Sequence, residues 1–196
     1  MTQKLNVILD LDQTLISAEE LSSFDFKKYK KKIQLFNAKM MDDSYIVFAR
    51  PHLDAFLDYL FENFNVSIWT AATKSYALFI INNFIKTKPN RKIDFIFFSY
   101  HCDYSMKCKK GLKNLSILWD NFGLKGYNKD NTVIIDDNDK VKRLQVCNCY
   151  AIPPFEFTDK DSEEDTELLS LIGKLEALRN YFVENPKPHE CLSDLM

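Results

Sequence analysis

Apolar positions along this chain gather into short runs, and amphipathic stretches separate them. Leu5–Leu11 reads as a strand of the kind buried on both faces of a parallel sheet. Val66–Thr70, Ile93–Ser99, Thr132–Ile135 and a short run near Tyr150–Ile152 repeat that signature. Helical spacing fills the gaps. Pro51 opens one helix, with Leu53, Phe56, Leu57, Leu60, Phe61 and Phe64 in register. A second helix is predicted over Lys74–Ile85. A third carries Leu115, Leu118, Trp119 and Phe122 and stops at Gly123, and a fourth covers Lys140–Val146. The last bears Leu168, Leu171, Ile172, Leu175 and Leu178 behind the acidic stretch Asp159–Asp165, as suits a helix N-terminus. Ile33–Met40 and Tyr45–Ala49 read as two strands around the turn Met41-Asp42-Asp43-Ser44. Residues 16–32 are polar and end in a lysine-rich run, and Tyr100–Gly111 reads as irregular or as a hairpin.

Strands alternating with helices predict an α/β fold: a parallel sheet of about five strands, helices on both faces, and a small antiparallel insert. Ligands of such sheets bind beyond the carboxyl ends of the strands. Three polar signatures sit there: Asp10 and Asp12 after the first strand, Thr70 after the second, and Asp136-Asp137 after the fourth. To bring these together, the first strand must lie between the second and the fourth. Asp10 and Asp12 start on one face of a strand, where their like charges repel unless a cation or proton intervenes. That arrangement suits a magnesium-dependent phosphoryl-transfer site, with one aspartate as nucleophile and the other as acid and base.

Composition narrows the class. With 196 residues, 46% of them hydrophobic and 28% charged, the chain has enough material for one cored domain. A net charge of −2 argues against direct nucleic-acid binding. There is no signal-peptide pattern and no run fit to span a membrane, so an intracellular protein, monomeric and with reduced thiols, is expected. Cys102, Cys108, Cys147, Cys149 and Cys191 lack the tight spacing of zinc knuckles and read as free cysteines.

The polar set resembles the haloacid dehalogenase superfamily of phosphotransferases. Asp10-Leu11-Asp12-Gln13-Thr14 matches its first motif, Thr70 its second, Lys113 its third and Asp136-Asp137 its fourth. Arg50-Pro51-His52-Leu53-Asp54, Trp69-Thr70-Ala71-Ala72 and Ile152-Pro153-Pro154-Phe155 narrow the resemblance to the FCP/SCP-type, NLI-interacting-factor-like phosphatases of the RNA polymerase II C-terminal domain. It spans roughly residues 5–182. His52 stands where relatives often carry a small residue.

The resemblance implies a Rossmann-like domain over 1–184 with its insert at 16–49, followed by a mobile tail at 185–196. It implies a Mg²⁺-dependent protein serine/threonine phosphatase. Asp10 would be the nucleophile and Asp12 the acid and base, with Thr70 and Lys113 on phosphate oxygens. The implied metal ligands are Asp10, the Asp12 carbonyl and Asp137, with Asp136 holding a ligand or a metal-bound water. Thr14, Arg50 and Ala71 are candidate substrate contacts, although Arg50 equally suits a local carboxylate. The substrate class is a phosphoprotein, with the polymerase C-terminal domain in view. There is no room for a large cap, so an open site is expected. No BRCT-like region and no membrane anchor are expected either. Two other readings compete: a non-catalytic binding module on this fold, and a phosphatase of small molecules or nucleic-acid ends.

Overall fold

The computed structural model describes residues 4–185 and 191–196. Eight strands and seven α-helices are seen there: β1 (Asn6–Leu9), β2 (Ile16–Glu20), α1 (Phe26–Ile33), β3 (Ala38–Met41), β4 (Tyr45–Ala49), α2 (Leu53–Asn63), β5 (Asn65–Trp69), α3 (Lys74–Ile80), β6 (Ile93–Phe97), α4 (Ser99–Lys109), α5 (Ser116–Asp120), β7 (Thr132–Asp136), α6 (Asp139–Leu144), β8 (Cys149–Ala151) and α7 (Glu167–Glu184). Five strands form the predicted sheet in the order β6-β5-β1-β7-β8, and the pairing is parallel throughout. β1 is central, with Leu9 level with Ile68 on one side and Ile135 on the other.

The period of two in β1 explains why both faces of the sheet are covered. Val7 and Leu9 face a core shared with α2, α3 and α7, where Phe56, Leu60, Ile80, Leu171 and Leu175 are buried. Ile8 faces the opposite core, with Trp69, Ile134, Leu118 and Val141. A strand so placed exposes no side chain until it ends, which is why the first polar groups after it sit at the sheet edge.

The insert is a three-stranded antiparallel sheet, β2-β4-β3, with α1 packed against it. Here the structure departs from the predicted pattern. Residues 16–32, read only as polar, form β2 and α1. The strand predicted over Ile33–Met40 is confined to Ala38–Met41, because the helix runs on through Ile33. α1 is held by its apolar side: Tyr29, Ile33, Phe24 and Phe36 gather around Phe48 and Phe157. The Phe48 and Phe157 rings stack with centroids 3.6 Å apart. Asp25 caps the helix, accepting the Lys27 and Lys28 backbone N–H groups.

Three further corrections concern helices. Tyr100–Gly111 is not irregular, since α4 covers most of it; its buried side is His101, Cys102 and Ser105. The helix predicted over Lys74–Ile85 is α-helical only to Ile80 and closes as a π-turn over Ile81–Ile85. Pro51 does not begin helical structure: His52 follows in the left-handed region at φ 65°, and α2 starts at Leu53. A side chain is disfavoured in that backbone, and His52 adopts it.

The tail and the thiols also differ from expectation. Part of the predicted mobile tail, residues 186–190, lies outside the described residues. Beyond it, Leu192 is buried in the main core. Cys191 is joined to Cys147 by a disulfide, so free thiols hold only for Cys102, Cys108 and Cys149. The bridge closes a sequence separation of 44 residues. Cys191→Ser is therefore expected to lower the unfolding free energy by about 2–4 kcal/mol, the usual worth of a loop of this length. Denaturant titration without reductant checks it; adding reductant should bring the wild type to the variant's midpoint and leave the variant unmoved.

Candidate active site

The carboxyl edge of β1, β5 and β7 gathers the acidic residues. Asp10 leaves β1 with its N–H on the Ile135 carbonyl at 3.0 Å, which keeps it level with the end of β7. Asp136 ends that strand and Asp137 follows it. Carboxylate oxygens of Asp10, Asp136 and Asp137 all lie within 4.8 Å of one another. Asp10 and Asp136 are buried, and Asp137 is half-buried.

Three like charges this close need a counter-charge. Lys113 supplies it. Its ammonium lies 2.7 Å from Asp10 Oδ1 and 2.7 Å from Asp136 Oδ2, with the side chain almost fully enclosed. Burial works against that charge, but the two carboxylates outweigh it and hold the lysine above its ordinary pKa. Lys113 sits at φ 52° in the segment between α4 and α5, and neighbouring side chains pin the segment. Gln145 accepts the Leu115 N–H and donates to the Lys113 carbonyl. Ser105 donates to the Gly111 carbonyl and accepts the Asn114 N–H.

The carboxylates differ in what they have left to offer. Both oxygens of Asp136 are engaged, one by Lys113 and the other by the Asn138 N–H at 2.9 Å. Asp137 accepts the Thr14 hydroxyl, at 3.3 Å. Burial raises the Asp10 pKa to about 7; the Lys113 charge opposes the rise and the Asp136 charge adds to it. Burial raises Asp137 too, helped by Asp136. A hard divalent cation among these oxygens would reverse both shifts, and all-oxygen ligation suits such an ion.

Asp12 stands apart from that cluster, half-buried at the mouth of the cleft. Burial raises its pKa, and a 2.5 Å hydrogen bond from the Tyr76 hydroxyl opposes the rise. Tyr76 was not singled out from the sequence. Its signal was available, since a tyrosine three residues past Thr73 lies in the first turn of the helix that leaves the edge at Thr70. Asp12 and Tyr76 line an open cleft of about 490 Å³ together with Ala18, Met41, Tyr45 and Thr73.

The remaining candidates divide. Thr70 is buried just beyond β5, and its hydroxyl accepts the Ala72 N–H at 3.0 Å. Ala71 is exposed at that strand end. Thr14, a candidate substrate contact, is instead enclosed and turned onto Asp137. Arg50 is likewise not presented to the cleft. It is 1% exposed; its guanidinium pairs bidentately with Asp165 at 3.0 and 2.8 Å and donates to the Thr14 and Pro153 carbonyls. Of the two roles open to it in the sequence, the carboxylate partner is the one its geometry fits.

The model of NLI interacting factor-like phosphatases matches residues 5–185. The chain belongs to that family. A putative CTD phosphatase-like protein, 355R, of Invertebrate iridescent virus 6 is 48% identical over 171 residues, covering 85% of this chain and 94% of the relative. Its counterpart in Invertebrate iridescent virus 3 is 41% identical, covering 90% of this chain and 98% of the relative. Among solved structures, Fcp1, an essential RNA polymerase II CTD phosphatase, matches with a TM-score of 0.65 at 17% identity. That match covers 93% of this phosphatase-family chain and 64% of the Fcp1 chain, and it shows a shared fold. No described helix of this family member is long and apolar enough to cross a membrane.

Arg50→Ala leaves Asp165 and the Thr14 and Pro153 carbonyls without their partner. It is expected to cost about 3–5 kcal/mol of folding stability, as for one half of a buried ion pair. Well below the variant's unfolding transition, KM should stay near the wild-type value, which a substrate-binding arginine would not allow. Chemical denaturation and steady-state kinetics on one preparation check both halves.

Proposed function

We propose that this chain is a magnesium-dependent protein phosphatase acting on phosphoserine or phosphothreonine, with segments like the RNA polymerase II C-terminal domain as its substrate class. The observation that carries this is the pairing of a three-carboxylate cluster, whose two buried members share one lysine, with a separate aspartate at the mouth of an open cleft. Membership of a phosphatase family and the printed descriptions of its relatives support it. A binding module has no need of two acids held in such different surroundings.

In this reading the Asp10 carboxylate attacks phosphorus, forming an acyl phosphate as the bond to the substrate oxygen breaks. Lys113 favours the ionised form of Asp10 and aims it, and it pairs with Asp136. Asp12 gives its proton to the departing seryl or threonyl oxygen. The raised pKa of Asp12 keeps that proton available closer to neutrality than in free aspartate. The resulting Asp12 carboxylate then takes a proton from the water that attacks the acyl phosphate, returning Asp10 and releasing phosphate. Thr70, just beyond β5, would hold a phosphate oxygen through its hydroxyl. Asp10 and Asp137 would hold Mg²⁺, whereas Asp136 is committed to Lys113 and Asn138. The ion would offset charge on the transferring phosphoryl group. The open cleft admits a protein segment without any cap to move.

Asp10→Asn is expected to abolish turnover. Asp12→Asn should retain phosphopeptide binding and lower turnover at least about a hundredfold on a seryl phosphate. The loss should be smaller on an aryl phosphate, whose leaving group needs less help. Equal losses on both substrates would remove Asp12 from the proton-transfer role. Chelation should silence the enzyme and Mg²⁺ restore it.

Tyr76→Phe supplies a test with a sign. The Tyr76 hydroxyl stabilises ionised Asp12, so its removal raises the Asp12 pKa further. Asp12 then stays protonated to higher pH, and the alkaline limb of kcat on a seryl phosphate should move upward. A limb that stays still, or moves down, would contradict proton donation by Asp12.

A further inference from the structure

The segment that carries Lys113 rests on two consecutive residues at the end of α6. Gly111 packs against Leu144, whose Cδ1 lies 2.7 Å from where a Cβ on residue 111 would stand. Beside it, Gln145 accepts the Leu115 N–H at 2.8 Å and donates to the Lys113 carbonyl at 2.9 Å. These bonds flank a lysine in the left-handed region at φ 52°, a backbone that persists only where its surroundings impose it. Gln145 touches neither carboxylate of the cluster, so any effect it has on the reaction passes through Lys113.

Two residues past Gln145 stands Cys147. It belongs to the tight turn Val146–Asn148, which closes back on the same support: the Asn148 N–H donates to the Gln145 carbonyl at 2.8 Å. Cys147 is bonded to Cys191. The two cysteines come from opposite layers of the molecule. α6 packs through Val141 into the core that holds Ile8, whereas Leu192, next to Cys191, is buried in the core shared with α7. The bridge therefore joins the layers on the two faces of the sheet, close to the start of its edge strand β8. It is also open to chemistry, since Cys147 is exposed and Cys191 half-buried. Exposed disulfides exchange with thiols far more readily than enclosed ones. Cys149 does not compete for the bridge. It is buried, and burial, with the Asp136 charge adding to it, pushes its thiol up to about 12.

We propose that the Cys147–Cys191 bridge is a redox site that governs turnover: closed, it holds Gln145, and through it Lys113, in place; opened by a small dithiol, it releases both and slows the reaction. The inference rests on the phosphatase reading above and adds the regulation of that same site. One thiolate of the dithiol bonds to a bridge sulfur, and the other bridge sulfur leaves as a thiolate and is protonated by water. The dithiol's second thiolate then attacks its own sulfur in the mixed disulfide and displaces the first cysteine, which is protonated in turn. Two electrons pass to the bridge, and the dithiol leaves as a cyclic disulfide. That oxidised form closes the bridge again by the reverse steps. Gln145 is a positioning residue in this scheme.

Aryl phosphate hydrolysis with Mg²⁺ over a series of ratios of reduced to oxidised dithiothreitol tests it, well below the unfolding transition of the reduced protein. The fraction of closed bridge at each ratio is counted by thiol alkylation and mass. As the bridge opens, kcat should fall about three- to thirty-fold, the scale of a small misplacement at a reacting centre. The fall should follow the bridge fraction and leave KM near its starting value. Cys191→Ser should show the low kcat at every ratio. Gln145→Glu still accepts the Leu115 N–H but, ionised, cannot donate to the Lys113 carbonyl. It should show a low kcat with the bridge closed and lose little more when the bridge opens. Equal kcat in both states of the wild type overturns the inference, and so does a redox response that survives in Cys191→Ser. A full further loss on reducing Gln145→Glu overturns the route through Gln145. A bridge that opens only as the protein unfolds overturns the switch as well. If no state of the wild type hydrolyses the aryl phosphate, the phosphatase reading falls and this inference with it.

Discussion

Everything at the carboxyl edge of the sheet depends on one ammonium. Asp10 and Asp136 are buried within a few ångströms of each other, and neither would tolerate the other's charge without Lys113 between them. The arrangement is costly, since taking three ions out of water is repaid only by close geometry and full hydrogen bonding. The surroundings meet that demand. Gln145 and Ser105 fix the segment that carries the lysine, and Asn138 occupies the remaining oxygen of Asp136. The Gln145 and Ser105 side chains and the Asn138 backbone thus hold the cluster in place.

A second buried cation ties the insert to this edge. Arg50 follows β4 directly, and its contacts reach the Thr14 turn, Pro153 and Asp165. The segment after β8 continues the connection: Phe155 is bonded to Gln13, the Phe157 N–H donates to Ser17, and the Phe157 ring stacks on Phe48. The insert is thus joined to the sheet domain on two sides by residues from the far end of the chain. One wall of the cleft, with Ala18, Met41 and Tyr45, inherits its position from that joint.

How much of this was legible in the sequence follows from how each part is stabilised. β1, β5 and β7 were readable because strands buried on both faces must be apolar throughout, and their polar ends then stood out. Their order followed from the need to bring Asp10 beside Asp137. α4 was not readable, because its buried side is His101, Cys102 and Ser105 and its apolar side chains share no face. α1 was masked by its lysines, although its core side obeys helical spacing. Arg50 was ambiguous because its partner lies 115 residues away, and sequence proximity offers no hint of that pairing. The Cys147–Cys191 bridge escaped for the same reason. Tyr76 escaped because a lone tyrosine on a half-buried helix is ordinarily core.

The parallel register of β1 has a consequence for the order in which the protein can be made. The nucleophile candidate lies ten residues from the start, but its strand has no edge-mates until Asn65–Trp69 and Thr132–Asp136 have been synthesised. The lysine that lets it stay charged is Lys113, and the carboxylate that seats Arg50 is Asp165. A growing chain therefore carries β1, apolar from Val7 to Leu9, without its second neighbour while about 125 further residues are added. At about 5–20 residues per second that interval is on the order of ten seconds. For that time Val7, Ile8 and Leu9, fully buried once the sheet is complete, lie open to water on one side of their strand.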